Sequence, residues 1–128
     1  MRVALCLMLA GPAAADQPMT SAEFQAYVGR DTLTYGYSDG SVGRAEYLAE
    51  ETVRWQYDGE ASCEVGTWKQ DGDLLCFMFP SQNGPACWRF VLTAGGLYGT
   101  GAGRRTEGYR IFQINRSQHP LTCAVPGV

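Results

Sequence analysis

Along much of the chain, apolar and polar residues alternate one for one, and the alternation breaks at short polar intervals containing glycine. Residues 52–57 show it plainly, with Val53, Trp55 and Tyr57 on one side and Thr52, Arg54 and Gln56 on the other. Successive side chains of a strand point to opposite faces, so a period of two predicts a half-buried β-strand. Residues 32–37 repeat the pattern with Leu33, Tyr35 and Tyr37 on one face. Further strands are expected over 43–48, 61–70, 74–79, 86–93, 97–100 and 109–115. Asp39-Gly40, Asp58-Gly59 and Asp71-Gly72 fall between such runs. Asp-Gly is a strong hairpin signal because both residues tolerate positive φ.

About eight strands in sequential hairpins leave no room for crossovers. The expected fold is mainly β: a small antiparallel up-and-down meander, closed as a barrel or as a two-sheet sandwich so that its edges are hidden. An eight-stranded barrel is near the size that side chains just fill, or that holds one small ligand. The fifteen aromatic residues are the natural filling.

One helix is expected. Thr20-Ser21-Ala22-Glu23 matches a capping box, Phe24, Tyr27 and Val28 follow at helical spacing, and Gly29 can end the turn. A helix over 21–28 would pack its Phe24/Tyr27/Val28 face on the body. The tail, 116–128, has two prolines and no periodicity, and reads as an irregular strap.

The chain is organised around residues 63–90, three apolar segments that carry Cys63, Cys76 and Cys87. Parity places Leu75, Phe77 and Phe79 on one face of their strand, and Trp88, Phe90 and Leu92 on one face of the next. Those faces should form the interior, because Arg89 is a poor candidate for unpaired burial. Cys76 and Cys87 then meet on the outer face across the 80–85 loop. By exclusion Cys63 pairs with Cys123, and the tail crosses the outside of the barrel. Four cysteines allow three connectivities, and parity is what selects this one.

The N-terminus changes the picture of where the chain resides. Arg2, the apolar run 3–9 and Ala13-Ala14-Ala15 form a secretory signal, with cleavage expected before Asp16. The run is far short of the roughly 20 apolar residues that span a bilayer. Cys6 leaves with the signal, and Leu5 before it is too bulky for a lipoprotein site. Residues 16–128 then make a single domain of 113 residues with four cysteines, an even number suited to two disulfides in an oxidising compartment. The expected location is periplasmic or secreted. Its net charge, about −4 without Arg2, disfavours nucleic acid and gives no support for an anionic membrane surface.

The spacing Gly66-x-Trp68, then Leu75-Cys76-Phe77, then Cys87-Trp88 resembles small exported proteins of alphaproteobacteria with a Gly-x-Trp…Leu-Cys-Phe…Cys-Trp signature. The resemblance covers about residues 50–93. It implies a small periplasmic β-protein and transfers no catalytic residue. The meander and Gly-x-Trp also give a fold-level likeness to lipocalin-like and avidin-like barrels, which carries no activity.

Candidate chemistry is sparse. His119 is the only histidine and sits in the tail, while the remaining cysteines are committed to disulfides, so a nucleophilic triad lacks its parts. There is no Cys-x-x-Cys pair for zinc. Gly99-x-Gly101-x-Gly103-Arg104-Arg105 has the glycines of a phosphate loop but no following helix. It reads as a flexible hairpin loop, with the arginines as an anion contact at most. Asp71-Gly72-Asp73 is a turn. Glu50-Glu51 reads as a solvated loop, and Asn115-Arg116-Ser117 is a sequon without meaning in a bacterial protein. Glu46, Glu64 and Glu107 have no sequence relation that brings them together.

No catalytic residue, cofactor or metal site is assigned, and the chain is not read as an enzyme. Tyr35, Tyr37, Trp55, Tyr57 and Trp68 form an aromatic stripe that either fills the core or lines a ligand cavity. The expected role is a non-enzymatic binding or interaction module with an unknown protein or small-molecule partner, no nucleic acid and no membrane insertion; oligomeric state is open. The alternatives are a small-molecule carrier, and an inhibitor of a hydrolase acting through the 80–85 or 99–106 loop. A filled interior argues against the carrier, and an empty aromatic pocket argues for it.

Overall fold

The computed structural model describes residues 4–5 and 17–124. Apart from Ala4 and Leu5, the expected signal sequence and its cleavage site lie outside the described residues, as do the last four of the tail.

Helix α1 (Ser21–Val28) precedes eight strands: β1 (Thr32–Tyr37), β2 (Val42–Tyr47), β3 (Thr52–Tyr57), β4 (Glu64–Asp71), β5 (Leu74–Met78), β6 (Ala86–Thr93), β7 (Gly96–Ala102) and β8 (Arg110–Ser117). Each strand pairs antiparallel with the next, and β8 pairs with β1, so the sheet closes into a barrel. Among the described residues closure leaves no strand edge unpaired along the sheet. The closing ladder shifts register between Thr34 and Tyr35. Gly40, Gly59 and Gly72 of the three Asp-Gly turns all have positive φ.

The registers follow parity. Leu33 faces Ala45, Trp68 faces Phe77, and Leu75 faces Trp88, all on the inner face. The core joins these to Tyr35, Tyr47, Val53, Phe90, Leu97 and Ile111. Leu92, expected in the interior with Trp88 and Phe90, is instead 40% exposed, close to the β6–β7 turn and outside the core. Cys76 and Cys87 stand directly opposite on the outer face and form a disulfide. Cys63 and Cys123 form the second.

The tail straps the outside of β1–β3. Thr32 donates to the His119 carbonyl at 2.8 Å, Gln56 to the Thr122 carbonyl at 3.1 Å, and Leu121 N–H to Glu46 Oε1 at 3.1 Å. These contacts explain why the outward-facing Thr32, Glu46 and Gln56 are buried. Glu46 also pairs with Arg54 Nε at 3.3 Å, so its charge is compensated under the strap.

Helix α1 plugs one end of the barrel. Thr20 and Glu23 form the reciprocal capping box. Phe24 and Val28 are fully buried, and the Phe24 ring meets Trp68, Phe90, Tyr47 and Phe77 at centroid distances of 5.1, 5.4, 5.5 and 6.2 Å. Tyr27 is only half-buried and donates to Gln113 at 2.7 Å. Met19 N–H bonds the Phe90 carbonyl, which lies beyond the last β5–β6 pair. Arg116 completes the plug: its guanidinium pairs with Asp31 at 2.7 Å, donates to the Tyr27 carbonyl and lies over the Tyr27 ring. A cation at the last turn complements the helix dipole.

Candidate functional site

The end opposite the helix is open. Connections of four, six, seven and seven residues (38–41, 58–63, 79–85, 103–109) surround it, whereas those at the helix end have four, two and two. Because α1 fills only the lower half, a cavity of about 290 Å³ remains under the longer loops.

Its wall is aromatic. Trp55 stands edge-on to Tyr57 at 5.4 Å and to Tyr37 at 6.2 Å, and stacks on Tyr35 at 6.4 Å. Trp88 closes the wall against Tyr37 at 5.9 Å. Gly43 makes room for this arrangement, since a Cβ there would stand 2.1 Å from Trp55 Cζ2. The Trp55 indole N–H is buried without a hydrogen-bond partner among the described residues. Ala45, Val53, Phe77, Phe90 and Ile111 contribute the apolar lower lining.

Polar groups are sorted by depth. Tyr35 and Tyr47, both 2% exposed, share a hydroxyl–hydroxyl hydrogen bond of 2.7 Å. Burial pushes the Tyr35 hydroxyl well above the ordinary tyrosine range, with its tyrosine neighbours adding to the effect. Tyr47 is also pushed up by burial, partly offset by the bond to Tyr35. Tyr37 is raised chiefly by burial, then by Tyr57, Tyr47 and Asp39, and is eased by Arg105. Charged side chains of the lining stand at the rim. Asp39 accepts from the backbone N–H and hydroxyl of Ser41, which hold its carboxyl below the usual range. Arg105 bonds Gln82 at 2.5 Å and the Gly84 carbonyl at 3.4 Å, tying the 103–109 loop to the 79–85 loop.

The rim is pinned rather than slack. Thr106 is buried; its hydroxyl donates to the Cys87 carbonyl at 2.6 Å and accepts the Ala102 N–H at 2.9 Å. The Thr106 backbone packs so tightly on Gly101 that a Cβ there would stand 1.8 Å from the Thr106 carbonyl oxygen. This corrects the reading of Gly99–Arg105 as a flexible loop. Gly99 and Gly101 belong to β7, where the missing side chains admit Ile111, Phe90 and the folded-back loop. Glu64 is held by both Ser81 N–H and Ser81 Oγ, at 2.6 and 2.8 Å.

Of the five aromatic residues singled out from the sequence, Tyr35, Tyr37, Trp55 and Tyr57 line the cavity. Trp68 does not. It faces inward on β4 but lies at the helix end, under Phe24. Trp88, Ile111, Tyr109, Asp39 and Arg105 also line the cavity, and sequence reasoning did not place them there. Glu46 lies on the outer wall beneath the tail, Glu64 at the start of β4 and the exposed Glu107 in the last loop, so these carboxylates share no cleft. His119 is exposed. Among the described residues no three His, Cys, Asp or Glu side chains are grouped to hold a metal, and no helix is long and apolar enough to cross a membrane. No protein-family model, curated protein or solved structure matches the chain.

Proposed function

We propose that the protein is an exported, non-enzymatic binding module that carries a small, flat, largely apolar molecule in the mouth of its barrel. The observation that carries this reading is the aromatic cavity of about 290 Å³, open at the loop end and closed below by the helix. An apolar hole of about 150 Å³ accepts benzene. Twice that volume suits a two-ring molecule of about ten to fourteen heavy atoms. At about 0.5 kcal/mol per heavy atom, a dozen atoms gain about 6 kcal/mol, a Kd of roughly 40 µM. Two disulfides suit an oxidising compartment. Export further predicts an intact mass lacking Met1 to Ala15 and carrying no acyl group.

The test pairs ligand capture with blockade. Protein exported by its own host is purified without denaturation and weighed by native mass spectrometry, then titrated with a panel of two-ring aromatics. A bound small molecule, or stabilisation by panel members, is expected. Ala86, on the lining and opposite Phe77, is the site to block. Ala86→Trp should abolish capture while urea unfolding stays cooperative with a native-like m-value. An empty native protein that no panel member stabilises would sink the proposal, as would undiminished binding by a folded Ala86→Trp variant.

A further inference from the structure

Within the small-molecule reading, on which this inference rests, the Tyr35–Tyr47 pair specifies which end of the ligand goes in first. Two hydroxyls carry two protons, and one mutual hydrogen bond uses only one of them. Neither hydroxyl has another partner among the described residues, so one donor proton is left over. Both tyrosines border the cavity. In an empty cavity water can serve that proton. A purely apolar ligand that expels the water leaves it unmatched, at the cost of a buried unsatisfied donor.

The surroundings limit what can meet it. Among the described residues the side chains lining the cavity include no lysine or histidine, and their one arginine, Arg105, is at the rim and tied to Gln82 and Gly84. An anion seated beside the pair would be desolvated among aromatic rings with no opposite charge next to it. We propose that the ligand is a neutral aromatic molecule bearing an oxygen, a phenol or an aryl carbonyl, which enters oxygen-first and completes the hydrogen bonding of Tyr35 and Tyr47. A phenol suits the site best, because its oxygen accepts the spare proton and its own proton can go to a tyrosine lone pair.

The experiment compares naphthalene, 2-naphthol and 2-naphthoate by equilibrium dialysis at neutral pH, against wild type and the Tyr35→Phe/Tyr47→Phe double variant. In wild type, 2-naphthol should bind about five- to tenfold more tightly than naphthalene, the worth of one net hydrogen bond. 2-Naphthoate should bind more weakly than 2-naphthol. In the double variant the 2-naphthol preference should fall to near unity, because naphthalene no longer strands a buried donor and binds more tightly than to wild type, while 2-naphthol has no hydroxyl pair left to meet. Equal binding of naphthalene and 2-naphthol by wild type overturns the oxygen-first proposal and leaves the carrier reading standing. Tighter binding of 2-naphthoate also overturns it, in favour of an orientation set by Arg105. Binding of none of the three overturns both. The wild-type comparison decides the matter even if the double variant does not fold.

Discussion

The Phe24→Ala substitution tests whether the helix is a plug or an ornament. Phe24 is fully buried and its ring is surrounded by Trp68, Phe90, Tyr47 and Phe77. Truncating a buried phenylalanine costs about 3–5 kcal/mol, the sum of lost transfer energy and the hole left behind. Two considerations favour the upper half of that range. A hydrogen-bonded, closed wall cannot collapse onto the gap as two loosely packed helices can, and each lost edge-on ring contact adds about 0.5–1.5 kcal/mol beyond area. The expected loss is about 4–5 kcal/mol, a large share of the 5–15 kcal/mol typical of a domain.

Urea unfolding with disulfides intact measures this loss, and Ala22→Gly is the control. Ala22 is exposed on the same helix, so its replacement costs only the helix-propensity difference, about 1 kcal/mol. Both variants should keep the wild-type m-value, since the surface exposed on unfolding hardly changes. Benzene should raise the midpoint of the Phe24→Ala protein more than that of Ala22→Gly, because only the former gains a second ring-sized hole beside the native cavity. A Phe24→Ala loss no larger than that of Ala22→Gly would mean that the helix merely lies on the barrel.

Three further outcomes are expected. Replacing Cys63 and Cys123 by serine should cost about 4 kcal/mol and replacing Cys76 and Cys87 about 3 kcal/mol, because the closed loops span 60 and 11 residues; denaturation midpoints that reverse this order would contradict the chain-entropy account. Glu50 and Glu51 both adopt positive φ in the β2–β3 turn, so Glu50→Asn with Glu51→Gly should raise stability by about 1 kcal/mol, and a lower melting temperature would refute the strain argument. Tyr35, Tyr37 and Tyr47 are raised above their unfolded value, so their contribution is complete below about pH 10 and is lost as pH climbs from there towards the folded values, by about 1.4 kcal/mol per unit for each tyrosine. Alkaline melts should therefore steepen only above that point, and a Tyr35→Phe/Tyr47→Phe protein should lose about two-thirds of the slope.

The parts of the fold that follow from local rules were legible in the sequence. Alternation gave the strand faces, Asp-Gly gave three turns, and the capping box gave the helix start at Ser21. Parity alone also paired Cys76 with Cys87, because a direct cross-strand neighbour must share its face. Glu50-Glu51 was harder: nothing in two glutamates signals a left-handed turn, and the surrounding pairing of β2 with β3 forces it. The burial of Glu46 and Gln56 was also hidden, because it depends on a tail more than sixty residues away in sequence.

The cavity was half legible, and the reason is geometric. Parity tells which face a side chain takes but not its height along the barrel. Trp55 and Trp68 both face inward, yet Trp55 stands opposite Glu64, at the loop end of β4, and Trp68 stands four residues further on. At about 3.3 Å per residue those four residues span some 13 Å, enough to separate the open mouth from the plugged end. The missing coordinate lies in the connections. In an up-and-down barrel alternate hairpins gather at opposite ends, so the six- and seven-residue loops all fall on one rim and the two-residue turns on the other. Tight turns leave a rim that a short helix can cap, whereas longer loops can stand over a space and carry polar groups such as Gln82 and Arg105 around it. Measuring each aromatic residue from its nearest six- or seven-residue loop puts Trp55, Tyr57 and Trp88 at the cavity and sends Trp68 to the helix, a division that alternation by itself cannot make.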